Sequence, residues 1–238
     1  EPALNERVCG GWHHRADSHL RPEAFVAAWT RAVRANGVDV RENCSVEEFE
    51  LRRGRVGAAR TTAGRFTADQ FILAAGAWSS ALGRQLGLRL PVQPGKGYSI
   101  TMARPAACPR LPCYLAERNV VATPWHSGYR LGGTMEFSGF DQGLNRRRLD
   151  NLISSAAGYL RTPIGRPEIE RWAGLRPMSP DDLPIIGRPP NLDNLTIATG
   201  HGMLGLSTAT GTGRLVADLI SGRRPICNPK PFSVQRFV

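Results

Sequence analysis

Lysine is nearly missing from this chain. Lys96 and Lys230 are the only two among 31 basic residues in a sequence of 238. The arginines that carry most of the formal net charge of +11 are spread along the sequence. They build no dense basic stripe with interleaved aromatics of the kind that grips a nucleic-acid backbone. The one concentrated run, Arg146-Arg147-Arg148, opens a helical stretch without aromatic partners. Nucleic acid is therefore excluded as an expected partner, and only weak attraction to anionic headgroups is left. Cysteine is sparse as well. The five residues Cys9, Cys44, Cys108, Cys113 and Cys227 are odd in number and scattered, which fits reduced thiols in a cytoplasmic compartment. Cys108 and Cys113 are close enough in sequence to pair, but no second close pair exists to complete a zinc site. His13, His14 and His19 cluster without the carboxylate or thiol spacing of a metal centre, so no metal is expected. No apolar run reaches bilayer-spanning length. The start, Glu1-Pro-Ala-Leu-Asn-Glu-Arg7, has neither the charge pattern nor the apolar core of a signal peptide. The expected location is the cytoplasm, with peripheral attachment to the inner face of the cytoplasmic membrane as its variant.

A chain of this length, 41% hydrophobic, holds one large domain or two small ones. Pro22 can open a helix, and Phe25, Val26, Trp29 and Val33 recur at helical spacing up to the stop Asn36-Gly37. Val38–Asn43 reads as a strand. Residues 46–51 and 56–62 read as a meander around the turn Arg52-Arg53-Gly54. Gln70–Ala75 reads as a buried strand that runs into Gly76-Ala77-Trp78 and a helix over residues 79–86. After Pro91 the pattern changes to short alternating runs at 98–102, 113–116, 120–123 and 129–132, broken by Pro, Gly and Asn, as in an antiparallel sheet. Residues 144–160 read as a helix. From Trp172 the α/β character returns. The expected fold is thus mixed α/β, with one module interrupted by another.

The densest chemistry lies near the C-terminus. The β-branched run from Leu195 enters Thr199-Gly200-His201-Gly202-Met203-Leu204-Gly205, and an amphipathic helix follows to Ile220. A helix N-terminus with unpaired N–H groups and partial positive charge then faces whatever ligand binds there. Gly200, Gly202 and Gly205 match the dinucleotide pattern G-x-G-x-x-G. That fingerprint also needs a second strand and an acidic residue about 20 positions on. The segment after Ser221-Gly222 is short and interrupted by Pro225, Pro229 and Pro231, so it can build no such strand. Two readings are left: a tight packing turn, or a loop that presents amides to a planar electron-rich ring.

Four stretches occur in order: Phe71-Ile-Leu-Ala-Ala-Gly-Ala-Trp-Ser-Ser80, Gly95-Lys-Gly-Tyr-Ser-Ile-Thr101, Trp172-Ala-Gly-Leu-Arg-Pro-Met-Ser-Pro-Asp-Asp-Leu-Pro-Ile-Ile-Gly187 and Thr199-Gly-His-Gly-Met-Leu-Gly-Leu-Ser207. Together they resemble the FAD-dependent D-amino acid oxidase superfamily, and they lean toward its D-amino acid dehydrogenase branch. The resemblance implies an incomplete FAD-binding Rossmann-like module, residues 1–91 and 172–238, interrupted by an antiparallel-sheet substrate domain, residues 92–171. Members of the family begin with a strand, G-x-G-x-x-G and an acidic residue. This sequence has no such start, so an N-terminal segment is expected to be missing.

Carried over by motif, the resemblance puts Gly202, Met203, Leu204 and Gly205 beside the flavin pyrimidine ring, with Gly200 and His201 positioning that loop. Ala75, Gly76 and Trp78 would line the cofactor, and Val46 would meet its adenine end through the backbone. Arg176 would clamp the substrate carboxylate, the geometry for which a guanidinium fork is suited. Tyr98 and Tyr129 are candidates to stand in for a tyrosine that some members carry where this chain reads Asn119-Val-Val-Ala-Thr123. The implied reaction is oxidation of a D-amino acid to an imino acid, which hydrolyses to a 2-oxo acid and ammonia. Electrons would pass to a quinone or other carrier. The alternatives are an oxygen-using oxidase of the same family, or a fragment or split subunit that is inactive without a partner supplying the nucleotide fold.

Overall fold

The computed structural model describes residues 1–237. In chain order its main elements are α1 (Pro22–Ala35), β1 (Val46–Arg52), β2 (Arg55–Thr61), β3 (Gly64–Phe66), β4 (Phe71–Leu73), α2 (Ser79–Gln85), β5 (Gln93–Met102), β6 (Cys113–Leu115), β7 (Val120–Trp125), β8 (Gly128–Glu136), α3 (Arg146–Ala157), β9 (Glu168–Met178), β10 (Ile185–Gly187), β11 (Leu195–Thr199) and α4 (Gly205–Ile220). The chain divides into two compact units. One combines Glu1–Trp29 with Lys96–Leu175, the other Thr30–Gly95 with Arg176–Val238.

The first unit is built on a five-stranded sheet of order β6-β7-β8-β5-β9. The β7–β8 hairpin closes through Trp125 opposite Gly128. Helix α3 starts at an Asn145 cap, whose side chain accepts from the amides of Arg147 and Arg148. Leu149, Leu152 and Ala156, spaced for one helix face, pack with Ile100, Met102, Val120, Ala122 and Leu131 of the sheet. Gly133 is where helix and sheet come closest. A Cβ there would strike the Asn119 carbonyl oxygen and lie 3.2 Å from Leu152. Residues 1–29 belong to this unit, which corrects their expected placement with the flavin-side module. The Arg161 amide donates to Ala3 O at 2.9 Å, and the Asn5 amide to Tyr159 O at 2.8 Å. The Glu1 carboxylate also caps the amides of Arg110 and Leu111.

The second unit holds two three-stranded sheets, β1-β2-β3 and β10-β11-β4. The β1–β2 turn uses Arg53 (φ 48°) and Gly54 (φ 73°), both left-handed as a two-residue hairpin turn requires. In the other sheet β11 pairs with β10 antiparallel and with β4 parallel, Ile197 opposite Leu73. The core is Val56, Leu73, Leu86, Leu88, Ile185, Leu195, Ile197 and their neighbours. Buried Asn194 clasps Val56, accepting its amide at 2.8 Å and donating to its carbonyl at 2.9 Å. Replacing Asn194 with alanine leaves two buried backbone groups unpaired, and the expected loss is about 2–4 kcal/mol of stability. A denaturant titration checks this, and an unchanged midpoint contradicts it.

One local expectation fails. Val38–Asn43 is not a strand, because Arg34 reaches over to Val40 O and Glu42 and Asn43 turns left-handed at φ 54°. Helix α1 forms as expected but buries no residue of its apolar face.

Near the C-terminus Arg236 grips Asp181 through two hydrogen bonds of 2.8 and 3.0 Å. That contact pulls the Asp181 carboxyl from 3.8 down to about 2. A carboxyl whose folded-state pKa is depressed adds stability above its unfolded value and loses it as pH falls through the folded one. The contribution should therefore be complete above about pH 4 and fade toward pH 2. Thermal melts of wild type and Asp181→Asn should converge across that window, and a gap that persists at pH 2 contradicts the assignment.

Candidate active site

Strand β11 delivers the chain to Gly200 (φ 73°) and Gly202 (φ 53°), both in the left-handed region. At Gly200 a side chain would also crowd Ile185, 3.2 Å from its Cγ1. Glycine is thus required by both backbone and space. The loop's hydrogen bonds decide what it can offer a ligand. The Gly202 amide is spent on Pro177 O at 2.9 Å, and the Leu204 amide on His201 O at 3.0 Å. These two are not the donors expected from the sequence. Among the described residues the amides of Met203, Gly205, Leu206 and Ser207 have no backbone acceptor, as the first turn of a helix dictates. No side chain caps α4. Its positive end is open, and Met203 and Leu204 are exposed beside it.

His201 is held by a 2.9 Å hydrogen bond between its Nε2 and Thr212 Oγ1. Burial lowers its pKa below the ordinary histidine value, so the ring is neutral at neutral pH and suited to fixing the loop. Gly76 (φ 54°) lies at the exit of β4, and its carbonyl accepts from Thr199 Oγ1 at 3.0 Å. Gly76, His201 and Gly205 line one cavity of about 700 Å³ with Ile72, Ala198 and Val216. Ala75 packs on the core below. Trp78 is half exposed. Val46, at the start of β1, does not line that cavity.

Arg176 sits at the end of β9 next to Pro177, whose carbonyl holds Gly202 and whose side chain borders the cavity. Its guanidinium is half-buried, and the loss of solvent lowers its pKa below the ordinary guanidinium range. A less hydrated cation pairs more strongly with an incoming carboxylate. The two tyrosines lie in the other unit. Tyr129 is fully buried in the core, its hydroxyl has no partner, and burial drives its pKa up. So placed, it packs and touches no ligand. Tyr98 is 2% exposed and donates its hydroxyl to Glu136 Oε2 at 2.5 Å. The sequence reading passed over Glu136. Its only signal was an acidic residue ending an alternating strand.

Among the described residues no group of three or more His, Cys, Asp or Glu is placed to hold a metal. The cysteines are free, and among the described residues no helix is long and apolar enough to cross a membrane. After α4 the described residues form only short helical turns.

Residues 1–219 match the DAO family of FAD dependent oxidoreductases. The chain is 37% identical over 243 residues to a D-amino acid dehydrogenase of Xanthobacter autotrophicus, covering 100% of this chain and 58% of that relative. It is 38% identical over 197 residues to a glycine oxidase of Pseudomonas putida, covering 82% of this chain and 53% of the relative. The crystal structure of glycine oxidase from Geobacillus kaustophilus superposes with a TM-score of 0.80 at 27% identity, over 89% of this chain and 57% of that one. The chain belongs to the DAO family of FAD-dependent oxidoreductases, and it spans little more than half the length of these relatives. The residues present fit the ring end of the family's FAD: an open helix N-terminus, glycines that leave room, and an apolar cavity alongside.

Proposed function

We propose that the protein oxidises D-amino acids to imino acids, which water converts to 2-oxo acids and ammonia, and that electrons leave to a quinone or similar carrier. The observation that carries this reading is the 2.9 Å bond from the Gly202 amide to Pro177 O. It ties the residue after Arg176 to the glycine loop, so the carboxylate clamp and the helix N-terminus share one rigid support. FAD, when bound, would supply the two-electron acceptor for the substrate. Arg176 holds the substrate carboxylate through two parallel N–H donors and fixes which Cα–H bond faces the ring. The open amides of Met203, Gly205, Leu206 and Ser207 and the dipole of α4 stabilise negative charge that builds up in front of them. Neutral His201 keeps the loop in place and adds no competing charge. Ile72, Ala198 and Val216 give that side of the cavity an apolar lining. The match of this whole chain to part of a D-amino acid dehydrogenase supports the substrate class and the carrier over oxygen. Turnover of D- and L-alanine with a dye acceptor, with and without air, tests both choices. Dye reduction by D-alanine that air does not replace supports the dehydrogenase, and turnover of L-alanine alone overturns the substrate class.

A specific observation favours a second reading, in which this chain works only with a partner segment that supplies the nucleotide fold. Among the described residues strand β4 is an edge strand that pairs only with β11, and Ile72 is 52% exposed on it. An unpaired parallel edge beside an apolar cavity is a template for another strand. A βα segment carrying the dinucleotide-binding glycines is the partner that suits it.

A further inference from the structure

Lys96 is one of only two lysines in the chain, and its side chain is 1% exposed. It stands opposite Glu136 in the β5–β8 register, where the pairing shifts before Tyr98. A buried ammonium is costly unless each proton finds a partner. Here Nζ donates to Asp141 Oδ2 at 2.8 Å and to Gly143 O, and it lies 5.3 Å from the centre of the Tyr98 ring. Both acceptors belong to the segment from Phe137 to Asn145, which joins β8 to α3 and is exposed along its whole length. Tyr98, two residues on, holds the start of the same segment through Glu136 at 2.5 Å. Arg148 stands 4.0 Å from Glu136 on the far side. Asp141 in turn accepts the Gly143 amide at 2.9 Å, shaping the turn that delivers the carbonyl to Lys96. An arginine could not replace this contact, because a planar fork does not fit a compact site with a carboxylate, a carbonyl and a ring face around one nitrogen.

We propose that residues 137–145 form a strap pinned from beneath by Lys96 and Tyr98, and that Lys96 is a positioning residue that holds strap and tyrosine together. The kinetic part rests on the proposed function and on the expectation from the sequence that residues 92–171 form a substrate domain; the mechanical part does not. Lys96 acts through the strap it holds, so its loss should alter how well substrate is held rather than how fast the bound substrate reacts.

Chymotrypsin tests the pin directly, because Phe137 and Phe140 lie exposed within the strap. Lys96→Met keeps the apolar stem and removes the ammonium. The expected result is nicking after Phe137 and Phe140 that is about tenfold faster than in wild type, through easier local opening. Asp141→Asn, at a mostly exposed position, should do the same and carries the test if Lys96→Met folds poorly. The double variant should be no faster than the faster single one, because both remove the same contact. Nicking at the wild-type rate in Asp141→Asn overturns the latch. In the FAD-loaded enzyme both variants should raise KM for a D-amino acid several-fold with kcat nearly kept. Faster nicking with unchanged KM overturns the positioning role. A wild type that oxidises no amino acid overturns the functional reading instead, and the nicking comparison still decides the latch.

Discussion

Arg176→Ala should lower kcat/KM for a D-amino acid by a few hundred-fold, about 3–4 kcal/mol, while FAD stays bound. The size follows from the environment of the side chain. Arg176 is half-buried and its charge is partly stripped of water, so truncation leaves a substrate carboxylate facing a site without its counter-charge. Most of the loss should fall on KM, because the carboxylate is held before and during hydride departure alike. Misalignment of the Cα–H bond adds a smaller fall in kcat. Arg176→Lys should recover part of the affinity and little of the orientation, since a point charge cannot make two parallel bonds. Steady-state kinetics beside the flavin spectrum separate the effects. Unchanged kinetics in Arg176→Ala remove the residue from the site, and loss of the flavin spectrum would assign it to the cofactor instead.

FAD retention should depend as strongly on a second polypeptide segment. The chain alone is expected to elute colourless from gel filtration, and addition of a βα nucleotide-binding segment should tighten FAD binding by about 100-fold or more, near 2.7 kcal/mol. The second unit offers the ring end of a site: open amides at α4, left-handed glycines and the cavity beside Gly76. A pyrophosphate needs another glycine-rich turn at a helix N-terminus. The open edge of β4 is where a parallel strand can add. Ile72→Asp puts a charge into that apolar contact and should reduce the gain about tenfold or more. Flavin bands that survive gel filtration with the chain alone contradict this expectation. Until it is covered, the same edge predisposes the chain to aggregate.

The sequence makes the elements of the second unit readable because each signal is local. A β-branched run entering glycines marks β11 and α4, and the same pattern at Phe71–Gly76 marks β4. The failures are the contacts that sequence distance hides. Gly202 and Leu204 look like free donors in a glycine loop, yet Pro177 O and His201 O already take their protons. Tyr129 looks like a site tyrosine by residue type, but its alternation on β8 points it into the core. Residues 1–29 read as the start of an α/β module, although backbone bonds join Ala3 and Asn5 to Arg161 and Tyr159, just after α3. Lys96 sits inside a recognisable stretch, and only the fold reveals that a strap remote in sequence is what it holds.

The most direct test of the central claim is anaerobic mixing of the FAD-loaded protein, with its nucleotide-binding segment supplied, against D-alanine, D-proline, glycine and L-alanine. Loss of the flavin absorption band with a D-amino acid and its persistence with L-alanine is the predicted result. A band unchanged by every D-amino acid tried, or bleached by L-alanine alone, contradicts the account.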